Sequence, residues 1–95
     1  MKVTIKFFTT LREMTGRSEE VVGLPENATM EDLLRKLSEK YGRKFEEYVF
    51  EKGGSETSQN LQFLIDGQST ATMDGKKTRL PPGCVVAIIP PVGGG

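Results

Sequence analysis

The residues best suited to chemistry lie at the end of the chain, which reads Ile88-Ile89-Pro90-Pro91-Val92-Gly93-Gly94-Gly95. A strand-like apolar run over residues 84–89 meets two prolines, which lack the N–H needed to continue a sheet ladder. Pro91 also biases Pro90 toward an extended conformation, so the pair aims whatever follows. Val92, Gly93, Gly94 and Gly95 offer almost no side chain to hold them down. These four residues reach roughly 13–14 Å at about 3.3–3.6 Å each. That is enough to carry the Gly95 carboxylate into a pocket of another protein. A narrow channel demands glycine at 93 and 94, because any Cβ widens the thread. Glycine also loses the most backbone entropy on ordering, so such a tail is expected to move until a partner clamps it. A frayed end or a linker remnant is the plain alternative. The abutment of Pro-Pro-Val-Gly-Gly-Gly on a hydrophobic strand points to function instead.

Ninety-five residues make one domain, able to bury a single core. Thirteen basic residues balance thirteen acidic ones, so no positive excess exists to neutralise phosphates, which argues against nucleic acid as a partner. No apolar run is long enough to cross a membrane and no signal-peptide pattern opens the chain, so a soluble, cytoplasmic protein is expected. Cys84 has no second cysteine to pair with, which fits a reducing compartment, and reads most simply as a small buried hydrophobe. Histidine is absent, which removes the commonest general base and metal ligand. Histidine-based triads and ordinary zinc sites are therefore excluded, and no metal site is expected. The chain reads as substrate or carrier, not catalyst.

The elements that must position the tail can be read in order. Residues 2–7 alternate polar and apolar as a half-buried strand, with Val3, Ile5 and Phe7 facing the core. Phe8 interrupts the polar series on the outward side. It serves either strand-end packing or an apolar docking patch. Residues 9–16 suggest a turn with a short helical piece ending at Gly16, and residues 18–24 a second strand centred on Val21 and Val22. Thr29 and Asp32 make an approximate capping box for a helix. Met30, Leu33, Leu34, Leu37 and Tyr41 form one apolar stripe, and Gly42 is placed to stop it. Phe45, Tyr48 and Val49 suggest another helical turn, followed by a polar loop to Asn60. Residues 61–65 form a strand that reverses at Asp66-Gly67. Asp74-Gly75 marks another turn, and Pro81-Pro82-Gly83 leads into the last strand. Both alternating sets of that strand are apolar, so it is expected to be central and buried on both faces. The first and last strands should lie side by side in the middle of a mixed sheet. The fold class is α+β, four to five strands covered by one main helix, with residues 1–90 as the domain and 91–95 as a flexible tail. The element order resembles the β-grasp, or ubiquitin-like, fold.

The residues also resemble a family. Lys6-Phe7-Phe8-Thr9-Thr10-Leu11-Arg12-Glu13-Met14-Thr15-Gly16 is similar to the opening of the small subunit of molybdopterin synthase and its relatives. The Pro90–Gly95 end is similar to that family's Pro-Pro-Val-x-Gly-Gly terminus. The resemblance, to MoaD-like and ThiS-like ubiquitin-fold sulfur carriers and archaeal small modifiers, spans nearly the whole chain. It departs at Asp66-Gly67, where the family often has Asn-Gly, and at Gly83-Cys84, where Gly-Asp is common.

The resemblance implies a mechanism. A free carboxylate resists acyl transfer because its charge repels nucleophiles and oxide leaves poorly. In the family an E1-like (MoeB/ThiF-type) enzyme, using ATP and Mg²⁺, adenylates the terminal carboxylate, here Gly95. A sulfur donor then converts it to a thiocarboxylate, which the large subunit of molybdopterin synthase takes up. No cofactor bound by the chain itself is expected. Pro90, Pro91, Val92, Gly93 and Gly94 would thread the partner's channel, and Phe8 and Ile89, neighbours on the sheet face away from the helix, would dock. Conjugation of Gly95 to target-protein lysines is a second function class. An interaction module with an inert tail is a third.

Overall fold

The computed structural model describes residues 1–51, 54 and 56–90. The expected channel residues Pro91, Val92, Gly93 and Gly94, and Gly95 itself, lie outside the described residues. Strand β1 (Lys2–Lys6) buries Val3 and Ile5 and leaves Lys2 and Lys6 outside, as period-2 alternation requires. Phe7 continues the ladder, its N–H donating to the Ser18 carbonyl at 2.9 Å. The chain then reverses into a short helix, α1 (Thr9–Thr15). Gly16 ends it in the left-handed region (φ 75°), its N–H bonded to the Arg12 carbonyl. The helical piece expected at 9–16 is thus two turns long.

Strand β2 (Glu19–Gly23) returns antiparallel to β1. Helix α2 (Met30–Tyr41) has the bounds its apolar stripe predicts, with Met30, Leu33, Leu34 and Leu37 all buried. Both halves of its capping box form: Asp32 N–H donates to the Thr29 hydroxyl at 3.2 Å, and Thr29 N–H donates to the Asp32 carboxylate at 2.8 Å. Gly42 stops α2 and begins α3 (Arg43–Val49), a full second helix where the sequence suggested only a turn. It packs against α2 and completes an aromatic cluster in the core. Phe7 meets Tyr41 and Phe45 edge-on at 6.1 and 6.4 Å, while Tyr41 and Phe45 stack at 5.7 Å.

Strands β3 (Gln62–Ile65) and β4 (Gln68–Ser69) form a hairpin. Asp66 and Gly67 supply its two-residue turn with φ of 49° and 86°, the doubly left-handed geometry that matches strand twist. Asp66 also fixes the next connection: its N–H donates to the Val85 carbonyl at 2.8 Å, and its carboxylate accepts from Val85 N–H at 2.9 Å. Two short 3₁₀ turns, Thr70–Thr72 and Gly75–Lys77, lead to β5 (Val85–Ile89). The sheet order is β2-β1-β5-β3-β4, with β1 and β5 parallel at its centre and every other pairing antiparallel. This is the mixed five-stranded β-grasp arrangement, with α2 and α3 providing the helical layer.

One expectation needs correcting. The last strand is central but not buried on both faces: Val86 and Ile88 point into the core, while Val85 is 36% exposed and Ala87 and Ile89 are half-buried. An apolar alternation normally means two covered faces, and here no layer of the described residues buries the second face.

Candidate functional site: the open sheet face and the start of the tail

Strand registers show what the uncovered face carries. Val21 stands opposite Thr4, which stands opposite Val85, giving one row across β2, β1 and β5. A second row runs Glu19, Lys6, Ala87, Leu64 and Ser69. At the next level Ile89 pairs with Gln62. The parallel β1–β5 register ends at Lys6 and Ala87, and Phe8 and Ile89 each follow two residues later, toward the same end of the face. Phe8 has extended backbone (φ −127°, ψ 150°), and it is 36% exposed. The two docking candidates named from sequence therefore share one end of the open face. Val21 (60% exposed), Val85, Ala87 and Leu64 lie on the same face, with Lys2 and Glu19 at its margins and Lys6 standing in its middle row between Glu19 and Ala87. Pro90 follows at the end of β5, half-buried, and directs the chain into the tail.

Sequence reasoning did not assign Val21 outward, and the cause is Glu20. A glutamate inside a strand signals a solvent-facing position, yet Glu20 points inward and is only 9% exposed. Lys40 Nζ and the Tyr41 hydroxyl, both from α2, donate to its two carboxylate oxygens. Burial pushes the Glu20 carboxyl up, but those hydrogen bonds and the charges of Lys40 and Arg17 outweigh it and hold it below the usual range. The same contact, with burial first, pushes the Tyr41 hydroxyl from 10.0 up to about 12.

The signs give a test. Glu20's lowered value contributes stability above the unfolded carboxyl range, lost as pH falls through the folded value. Tyr41's raised value contributes stability below pH 10, lost as pH climbs from 10 toward about 12. Thermal midpoints of wild type and Tyr41→Phe, compared across that alkaline window, should converge as pH rises. Parallel curves would show that the tyrosine adds nothing through this bond.

Nothing on the helical side competes as a reactive centre. A cavity of about 640 Å³ there is lined by Arg35, Arg43, Glu46, Glu47, Phe50, Glu51 and Gly54. Arg35 is already committed, lying 4.0 Å over the Phe50 ring and 3.6 Å from both Glu31 and Glu46 carboxylates. Among the described residues no group of three or more histidine, cysteine, aspartate or glutamate side chains could hold a metal ion. Cys84 is buried, and burial together with the Asp66 charge raises its thiol, which disfavours the thiolate. No helix among the described residues is long and apolar enough to cross a membrane.

A ubiquitin-like sheet with an open apolar face, running from its central strand into Pro-Pro-Val-Gly-Gly-Gly, invites comparison with known proteins. The sequence model of the ThiS family matches residues 5–95. The chain belongs to the ThiS family. This ThiS-family chain is 31% identical to small archaeal modifier protein 3 of Haloferax volcanii, with all of both chains covered. Its fold matches small archaeal modifier protein 1 of Methanosarcina acetivorans (TM-score 0.84, 31% identity, 99% of this chain and 96% of that one). It also matches a Pyrococcus furiosus protein assigned as a molybdopterin converting factor, subunit 1 (TM-score 0.76, 31% identity, 97% and 99% covered). The ThiS-family chain is thus a small ubiquitin-like sulfur carrier or modifier, not a catalytic enzyme.

Proposed function

We propose that this chain is a cytoplasmic sulfur carrier whose Gly95 carboxylate is activated by an E1-like adenylating enzyme of the MoeB/ThiF type. The observation that carries the reading is the apolar open face, holding Phe8 and Ile89 beside the start of a glycine tail in a ThiS-family chain. In the first step a carboxylate oxygen attacks the α-phosphorus of ATP, with Mg²⁺ on the phosphates, and pyrophosphate leaves. A donor persulfide then attacks the acyl carbon and AMP leaves; a thiol next attacks the donor-side sulfur of the resulting acyl disulfide, forming a disulfide with the donor and releasing the thiocarboxylate. Pro90 and Pro91 aim the tail, while Val92, Gly93 and Gly94 thread the channel without a side chain larger than valine. Where a residue follows Gly95, trimming precedes activation.

The sulfur acceptor in this reading is a pterin precursor on the large subunit of molybdopterin synthase, supported by the likeness to the Pyrococcus furiosus protein. A second reading, conjugation through Gly95 to target lysines, is favoured by the identity with small archaeal modifier protein 3. Both share the adenylation step. Intact-mass spectrometry of the untagged protein from its own cells tests the carrier reading: one oxygen replaced by sulfur, localised to the last peptide, is expected. Isopeptide-linked ladders in lysate are the mark of the second. Absence of both, with no adenylate formed from ATP and the E1-like enzyme, would leave the tail inert.

Docking has its own test. Phe8→Asp should weaken binding to the activating enzyme by about tenfold or more, as expected for a central aromatic anchor. It should not destabilise the domain, because Phe8 occupies the N-cap of α1, where aspartate is a better residue. Titration calorimetry with an unchanged affinity would remove Phe8 from the docking face.

A further inference from the structure

Two adjacent residues break local rules at the end of β1. Phe8 is the N-cap of α1 yet brings no capping side chain; only its carbonyl serves, accepting from Leu11 N–H at 3.1 Å and Arg12 N–H at 3.5 Å. Thr9 has φ of 42°. Among the described residues the other non-glycine positive-φ positions are Asn27 and Asp66, types that tolerate the left-handed region in turns. A β-branched residue there is an outlier. Local rules broken in succession are expected where function overrides propensity.

The geometry shows what the breakage achieves. Phe7 still bonds to Ser18 in the ladder, and Phe8 is still extended, so the strand runs at full length past the end of β1. The left-handed turn at Thr9 then reverses the chain within one residue, so that the Phe8 carbonyl serves α1 while its side chain stays on the open face.

We infer that Thr9 is a positioning residue for docking: its left-handed backbone holds Phe8 on the open sheet face, at the end where β5 reaches Ile89, before any partner arrives. The inference rests on the docking reading above and extends it to a residue that itself touches no partner.

Two substitutions separate the backbone from the side chain. Thr9→Pro forbids positive φ but suits the first position of a helix, and Phe8 already has the extended conformation required before proline. Thr9→Gly accepts the left-handed turn without strain. In ATP–pyrophosphate exchange with the organism's E1-like enzyme, Thr9→Pro should raise KM for the carrier about tenfold or more with kcat unchanged. Thr9→Gly should leave KM within about twofold and raise the thermal midpoint by roughly 4 °C or more. Nuclear Overhauser contacts from the Phe8 ring to Ile89, read in the isolated chain, should survive in Thr9→Gly and vanish in Thr9→Pro. An unchanged KM or intact ring contacts in Thr9→Pro would overturn the assignment. Should Thr9→Pro not fold, Thr9→Gly decides: a raised midpoint with the contacts intact supports the role, and a lowered midpoint or lost contacts refutes it. Failure of the wild type in the exchange assay would count against the carrier reading alone, since the ring contacts judge Thr9 without the enzyme.

Discussion

Addition of a single alanine after Gly95 should abolish activation of this protein while leaving its fold untouched. One residue displaces the carboxylate by about 3.3–3.6 Å. Misplacement of a reacting group by about 1 Å can already cost 10²-fold, so a loss of at least that size in ATP–pyrophosphate exchange is expected. The thermal midpoint should not move, because the added residue changes none of the core or sheet residues described, which end at Ile89. Gly94→Val should act in the same direction through the channel wall, its branched side chain entering where glycine leaves only backbone. An extended chain that still exchanged pyrophosphate at the wild-type rate would show that Gly95 is not the activated group. The three function classes would then collapse to an interaction module.

Replacement of Phe45 by alanine should bring the domain close to unfolding. Phe45 is fully buried and touches both other rings of the Phe7–Tyr41–Phe45 cluster, which ties β1 to α2 and α3. Truncating a buried phenylalanine typically costs about 3–5 kcal/mol, the transfer term plus the cavity left behind. Small domains hold only about 5–15 kcal/mol in total. Urea denaturation should therefore show a midpoint lowered by about a fifth or more with an unchanged slope. A shift below about 1 kcal/mol would mean that neighbouring side chains collapse into the space, and that α3 contributes little to the core. Loss of Phe45 should reduce activation only through the unfolded fraction, in contrast to Thr9→Pro and Phe8→Asp, whose effects belong to the folded carrier.

Much of this was legible in the sequence because the signals were local. The stripe from Met30 to Tyr41, the Thr29–Asp32 box and the Asp66-Gly67 reversal each depend on neighbours within a few residues, and each formed where it was read. Phe8 was singled out because it breaks an alternation, also a local signal. Helix α3 was harder to see, since its seven residues fully bury only Phe45 and Val49, with Tyr48 partly buried beside them, and rely on α2 for company. The apolar character of β5 misled, because a strand covered on both sides and a strand with one bare apolar face have the same composition.

The sequence alone determined the absence of histidine chemistry and the order of the main strands around the Met30–Tyr41 helix, properties of residue type and short-range pattern. Which residues form the open face was decided by the tertiary structure. Glu20 can turn inward only because Lys40 and Tyr41 arrive from α2 to satisfy its carboxylate, and that inward turn sends Val21 out. Thr9 can hold a left-handed backbone only because the ladder at Phe7 and the first turn of α1 constrain it from both sides. A buried charge and a strained backbone are each unfavourable taken alone. The partners of Glu20 are some twenty residues distant, and Thr9 is held in part through Ser18, so neither could be read from adjacent residues alone.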